Sequence, residues 1–144
     1  VERVVSSLRP LFLQAGLPLD VDPPDPQLGV WADPDKLTQI LGNLLANSLR
    51  YTPQGGEVRV AAKARESLVV FRVEDNGIGI PSEDLPHVFE RFYRVEKSRS
   101  QAGGGSGIGL AVVKALVRQM GGSIKAESTP GSLTRFTFTL PRSS

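Results

Sequence analysis

The chain has no cysteine, which excludes a disulfide framework, a thiolate metal site and a cysteine nucleophile, and fits a reducing compartment. It has no apolar run near the roughly 18–20 residues that span a bilayer, and no signal peptide is visible. Two well-known phosphate motifs are missing. There is no G-x-G-x-x-G, so no Rossmann fingerprint, and no G-x-x-x-x-G followed by Lys-Ser/Thr, so no Walker A loop. Charge of one sign is scarcely in excess: 17 Lys and Arg against 15 Asp and Glu give a net +2. With no long basic run, the sequence pI of 9.2 is weak support for nucleic acid. What remains, 144 residues at 40% hydrophobic and 22% charged, is ordinary for a globular domain with one core. The chain starts at Val1 rather than Met, which leads us to expect a piece of something larger.

Apolar residues at Val4, Val5, Leu8, Leu11 and Phe12 are spaced for a helix over Val1–Ala15, with Pro10 inside it and Gly16 as its cap. Short extended pieces are expected at Leu19–Asp22 and Leu28–Trp31, around the proline-rich surface turn Pro23–Pro26. Asp33-Pro34 then opens the strongest helix, Asp as N-cap and Pro at the first helical position. Through Tyr51 it buries Leu37, Ile40, Leu41, Leu44, Leu45 and Leu49 on one face, while Lys36, Asn43, Asn47 and Arg50 fall on a polar stripe. Interior asparagines disfavour a helix by several tenths of a kcal/mol each, by rough estimate. These two are either simply solvated or, as the position of Asn47 at the rim of the leucine face favours, placed for a ligand.

Two strands, Glu57–Ala64 and Ser67–Asp75, are expected as a hairpin turning at Arg65-Glu66. The second delivers Asp75 into Glu74-Asp75-Asn76-Gly77-Ile78-Gly79-Ile80-Pro81. A carboxylate at the end of a buried strand needs a donor or shifts its pKa, and the glycines suit either a plain tight turn or close approach of a flat ligand. As a base-reading group Asp75 suits adenine, whose amino group donates where guanine presents a carbonyl. A short helical turn begins at Ser82-Glu83-Asp84. Phe89 and Phe92 suit a core plug. Val95–Ser106 is small, basic and without periodicity, the pattern of a mobile loop. It leads into Gly107-Ile108-Gly109-Leu110, the start of a helix that runs to Met120 and stops at Gly121-Gly122. A last hairpin, Ser123–Ser128 and Leu133–Leu140, crosses Thr129-Pro130-Gly131. The element order gives one domain over 1–144, an α+β two-layer sandwich with a mixed, mostly antiparallel sheet and helices on one face.

A glycine-rich loop feeding a helix N-terminus makes an anion site, and Gly103–Gly109 has that form. It is also the form of a plain linker. Arg94, Lys97 and Arg99 precede it and are either solvated or placed to close over a polyphosphate. Asn47 offers an oxygen suited to Mg²⁺, which prefers oxygen ligands and accompanies phosphates.

Four segments, Asn43–Thr52 (NLLANSLRYT), Asp75–Pro81 (DNGIGIP), Phe89–Arg94 (FERFYR) and Gly105–Leu110 (GSGIGL), resemble the N, G1, F and G2 boxes of sensor histidine kinases, in order and spacing. The likeness covers nearly all of Asp33–Pro141. It implies a Bergerat-fold catalytic domain that binds Mg·ATP and passes the γ-phosphoryl group to a histidine on a separate dimerisation domain, with a response regulator downstream. No nucleic-acid partner and no direct membrane contact of this fragment are expected, with a cytoplasmic location for it whether or not the full-length protein is membrane-anchored. By resemblance Asn47 is the Mg²⁺ ligand, Asn43 and Arg50 lie near the phosphates, with Arg94 beside them in the catalytic set, and Tyr51 lies against the nucleotide. Asp75 takes the adenine amino group. Gly77, Gly79, Gly105, Gly107 and Gly109 shape pocket and lid, and Ile78, Ile80, Phe92, Lys97, Ser106, Ile108, Leu110 and Thr134 complete the nucleotide contacts.

Several departures matter. Ser48 and Arg50 stand where alanine and lysine are commoner, and Ser132-Leu133-Thr134 replaces the usual glycine-threonine pair. Relatives such as gyrase-type ATPases and anti-sigma serine kinases carry a glutamate base four residues before the magnesium asparagine; here that residue is Asn43, an amide without useful basicity. His87, followed by Val88 rather than an acid, does not match the phosphoacceptor motif and suits a surface histidine. The alternatives are a nucleotide-binding module without phosphotransfer and a serine kinase of the anti-sigma type.

Overall fold

In a computed structural model the structure describes residues 9–10, 13–14, 16, 19–21, 34–52, 56–77, 79–80, 82–90, 109–129 and 133–141. The expected strand at Leu28–Trp31 and loop Val95–Ser106 lie outside them.

The elements are β1 (Leu19–Val21), α1 (Pro34–Tyr51), β2 (Val58–Arg65), β3 (Leu68–Asp75), a 3₁₀ turn (Leu85–His87), α2 (Gly109–Gln119), β4 (Ser123–Thr129) and β5 (Leu133–Pro141). Arg9, Pro10, Leu13 and Gln14 are helical, and Gly16, at φ 71°, closes that turn by donating its N–H to the Leu13 carbonyl.

Five strands form one sheet in the order β1-β2-β3-β5-β4. Only the β1–β2 pairing is parallel, because β1 returns to the sheet through a helix whereas the others are joined as hairpins or fold back antiparallel. The β2–β3 turn is shifted one residue from the expected position. Arg65 pairs with Leu68, so Glu66 and Ser67 make the turn, and Glu66 takes φ 58°. A two-residue hairpin favours a positive φ because it matches the twist of the strands, and the register that buries alternate residues outweighs the strain at a non-glycine.

Strand alternation decides the layers. Val58, Val60, Val69, Phe71, Val73, Phe136, Phe138 and Leu140 are buried on one face, against Ile40, Leu41, Leu44 and Leu45 of α1 and Val113 and Val117 of α2. Phe71 and Phe138, opposite each other in register, stack with centroids 4.6 Å apart. Phe89 meets Phe136 edge to face at 6.1 Å, the plugging contact expected of it. Gly121, at φ 82°, and Gly122 end α2 with N–H groups donated back to Arg118 and Val117. Both helices lie on the same side of the sheet, so its other face carries no described helix.

Candidate functional site

The site grows from one row at the end of the buried sheet face. Asp75 on β3 lies opposite Thr134 on β5, which lies opposite Ser128 on β4. Up to this row the inner face is apolar; here three polar side chains follow in line. Asp75 is 5% exposed and Thr134 4%. The last turn of α1 closes over them with Ser48, fully buried, and Thr52, 5% exposed, just past the helix end, its N–H donated to the Ser48 carbonyl.

The electrostatics are those of an unfinished site. Asp75 Oδ1 accepts the Gly77 N–H at 3.0 Å. Burial raises its pKa above the ordinary carboxylate value, and the Gly77 N–H and the nearby Ser48 and Thr52 hydroxyls pull it partly back. Those hydroxyls face the carboxylate, yet neither Ser48 Oγ nor Thr52 Oγ1 reaches full hydrogen-bond geometry. An unpartnered buried hydroxyl costs ~1–3 kcal/mol. Two of them beside an under-donated carboxylate fit a ligand that brings its own donor, as the amino group of adenine does.

The glycine-rich segment after Asp75 is held from the far side. Ser128 Oγ accepts the Ile80 N–H at 2.7 Å, donates to the Leu133 carbonyl at 2.8 Å and lies 3.3 Å from Thr134 Oγ1. Gly79 turns at φ 76°, a conformation costly for any residue with a side chain. Asn76 ties the other edge, its Oδ1 accepting the Glu57 N–H at 2.6 Å. Gly77, Gly79 and Ile80 are buried.

Asn43 and Asn47 are half-buried on α1, Asn47 next to Ser48 in sequence. Arg50 and Tyr51 belong to the last turn of the same helix. Among the described residues no group of three His, Cys, Asp or Glu could hold a metal ion. Gly109 and half-buried Leu110 start α2. Ile78, Phe92, Arg94, Lys97, Arg99, Gly105, Ser106, Gly107 and Ile108 lie outside the described residues. His87 is exposed on the 3₁₀ turn and engages Glu90.

Sequence reasoning passed over the ligating potential of Ser48 and Thr52 and the bracing role of Ser128. The first two carry a readable signal, hydroxyls at i and i+4 at the rim of a leucine face beside Asn47. Ser128 has no such signal until the β4–β5 register is known.

Residues 32–144 match the family model described as histidine kinase-, DNA gyrase B- and HSP90-like ATPase. The chain belongs to that family. Within it the likeness is to sensor kinases: 48% identity over 120 residues to sensor histidine kinase WalK of Bacillus subtilis, covering 82% of this chain and 20% of that protein. Identity is 40% over 135 residues to signal transduction histidine-protein kinase BaeS of Escherichia coli, covering 94% and 29%. A solved structure of full-length ShkA in complex with AMPPNP superposes with a TM-score of 0.85 at 28% identity, over 99% of this chain and 29% of that one. The two-layer fold and the ATP-binding catalytic domain inferred from the boxes therefore stand, with ATP as the nucleotide. The chain spans roughly a fifth to a third of the length of these relatives. No helix among the described residues is long and apolar enough to cross a membrane.

Proposed function

We propose that this domain binds Mg·ATP and positions its γ-phosphoryl group for in-line transfer to a histidine on a separate helical dimerisation domain, from which a response regulator takes it. The observation that carries this reading is Asp75: a buried carboxylate with one backbone donor, faced by the Ser48 and Thr52 hydroxyls at the C-terminal end of the helix that bears Asn43 and Asn47. Asp75 accepts from the adenine amino group, with Thr134 beside it and Gly77–Ile80 along the base. Asn47 gives its amide oxygen to Mg²⁺, which neutralises charge on the phosphates. Asn43, Arg50, Arg94 and Lys97 hold the polyphosphate, Tyr51 and Phe92 pack on the nucleotide, and Gly105–Leu110 supply N–H groups at the start of α2.

With Asn43 where related ATPases use an acid, the chain supplies positioning and charge stabilisation, and the accepting domain supplies the base. The test joins the domain to a helical acceptor domain and follows phosphorylation by ATP. Acid-labile phosphoprotein is expected, abolished by Asn47→Asp and by Asp75→Ala. An acid-stable product would point to a serine acceptor, ATP binding without phosphoprotein to a module that has lost transfer, and full activity of either variant would overturn the site.

A further inference from the structure

The outer face of the sheet, away from the nucleotide, is sorted by charge. The register sets Asp20, Arg59, Glu74, Arg135 and Glu127 in one row across all five strands, with signs alternating at every step. Arg135 Nε lies 3.1 Å from Glu74 Oε1. This row is compensated from within.

The rows beyond it, toward the Glu66-Ser67 turn, are not. Arg72 and Lys125 stand in the next row with Thr137 between them and Ala61 on the other side of Arg72; Lys63 follows beside Val70 and Thr139, then Arg65 beside Leu68. These four cations face no acid on any strand of their own rows. Glu66, in the turn, is the single acid at this end of the face among the described residues. This half of one sheet face thus carries more positive charge than the +2 of the whole chain. Arg72 and Lys125 lean back toward Glu74 and Glu127 at 3.6 and 3.8 Å, while Lys63 and Arg65 are exposed and make no ion pair among the described residues.

The surface is also shaped. A recess of about 370 Å³ has half-buried Ala61 and Val70 among its lining, with Arg59, Lys63, Arg65 and Arg72 around them and Glu74, the one acid, beside Arg72. Leu68, 38% exposed, adds an apolar contact at its end. Small side chains flanked by cations leave room for a backbone to lie close while carboxylates reach outward. The concavity does not suit a flat bilayer, and among the described residues the face has no aromatic side chain on which bases would stack.

We propose that this cationic half of the outer face docks an acidic segment of a partner protein, laid across β2 and β3 with carboxylates on Lys63, Arg65 and Arg72. Asp75 and Thr134 lie on the opposite face and at the other end of the strands, so the segment and ATP bind together. The proposal does not depend on the phosphotransfer reading.

The test uses a fluorescein-labelled peptide of alternating glutamate and alanine, followed by anisotropy at low salt. Expected is saturable binding that weakens as salt rises, persists with saturating ATP, and falls about tenfold in K63E/R65E. Both residues are exposed, so the melting temperature and ATP affinity of that variant stay as in the parent. The reversal K36E/R118E on the helical side makes the same change in net charge and should leave peptide binding in place. Amide shifts on adding peptide should map to β2 and β3, a readout in the unsubstituted chain. Absence of saturable binding, equal loss in both double variants, displacement by ATP, or displacement of the peptide by phosphatidylserine vesicles or by single-stranded DNA would each overturn the assignment.

Discussion

Ser128 Oγ accepts the N–H of Ile80 at 2.7 Å across 48 residues of chain. The same hydroxyl donates to the Leu133 carbonyl, so it fastens the glycine-rich segment Gly77–Ile80 to the β4–β5 hairpin. Its geometry is complete: one donor used and one strong acceptor contact, with Thr134 beside it.

Replacing Ser128 with Ala leaves the Ile80 N–H and the Leu133 carbonyl without this partner. A loss of about 1–2 kcal/mol in stability is expected, on the scale of a part-buried hydrogen bond. ATP affinity should fall several-fold by titration calorimetry as the segment Gly77–Ile80 loosens. An S128T variant, which keeps the hydroxyl on a β-branched residue suited to a strand, should restore most of both. If S128A binds ATP as the parent does, the brace is not part of the pocket.

Asp75 sets stability against binding. Its folded pKa lies above the unfolded value because burial disfavours the charge. Between the two values the folded state binds more protons than the unfolded, so this group's contribution to stability declines as pH rises through that window and the deficit stays at neutral pH. ATP binding should run the other way, weakening as pH falls through the raised pKa, since a protonated carboxyl no longer accepts freely from adenine. Asp75→Asn removes the buried charge and keeps an oxygen for the Gly77 N–H. At pH 7 the apo variant should melt higher, by about 2–4 °C for a gain near 1 kcal/mol, and bind ATP at least tenfold more weakly. A variant that melts lower and binds normally would contradict both halves.

Gly122 has no room for a side chain. A methyl group there would sit 1.8 Å from the Thr139 carbonyl oxygen, a backbone atom of β5 that cannot step aside. Gly122→Ala should therefore destabilise by about 1–3 kcal/mol, the range for forced overpacking, read as a shift in urea midpoint. Gly42, whose Cβ position meets nothing within 4 Å, is the control: alanine there should hold or raise stability through helix propensity, by about 1 kcal/mol at most.

Much of the protein follows from its sequence alone, for local reasons. The leucine stripe specifies α1, alternation in Phe136–Leu140 specifies a half-buried strand, and Gly121-Gly122 stops α2, because each depends on neighbours a few residues away. The four ordered boxes identify the family for a similar reason: each is a short local segment. The exact turn at Glu66-Ser67 is decided by pairing across β2 and β3, and a residue of register moves it without changing the pattern. Long-range contacts decide the rest. That Asp75, Thr134 and Ser128 form one row under Ser48 and Thr52 depends on the β3–β5–β4 order and on where α1 crosses the sheet. The alternating charge row, and the excess of cations beyond it, exist only in the register of five strands; along the chain those residues are unremarkable charges tens of positions apart.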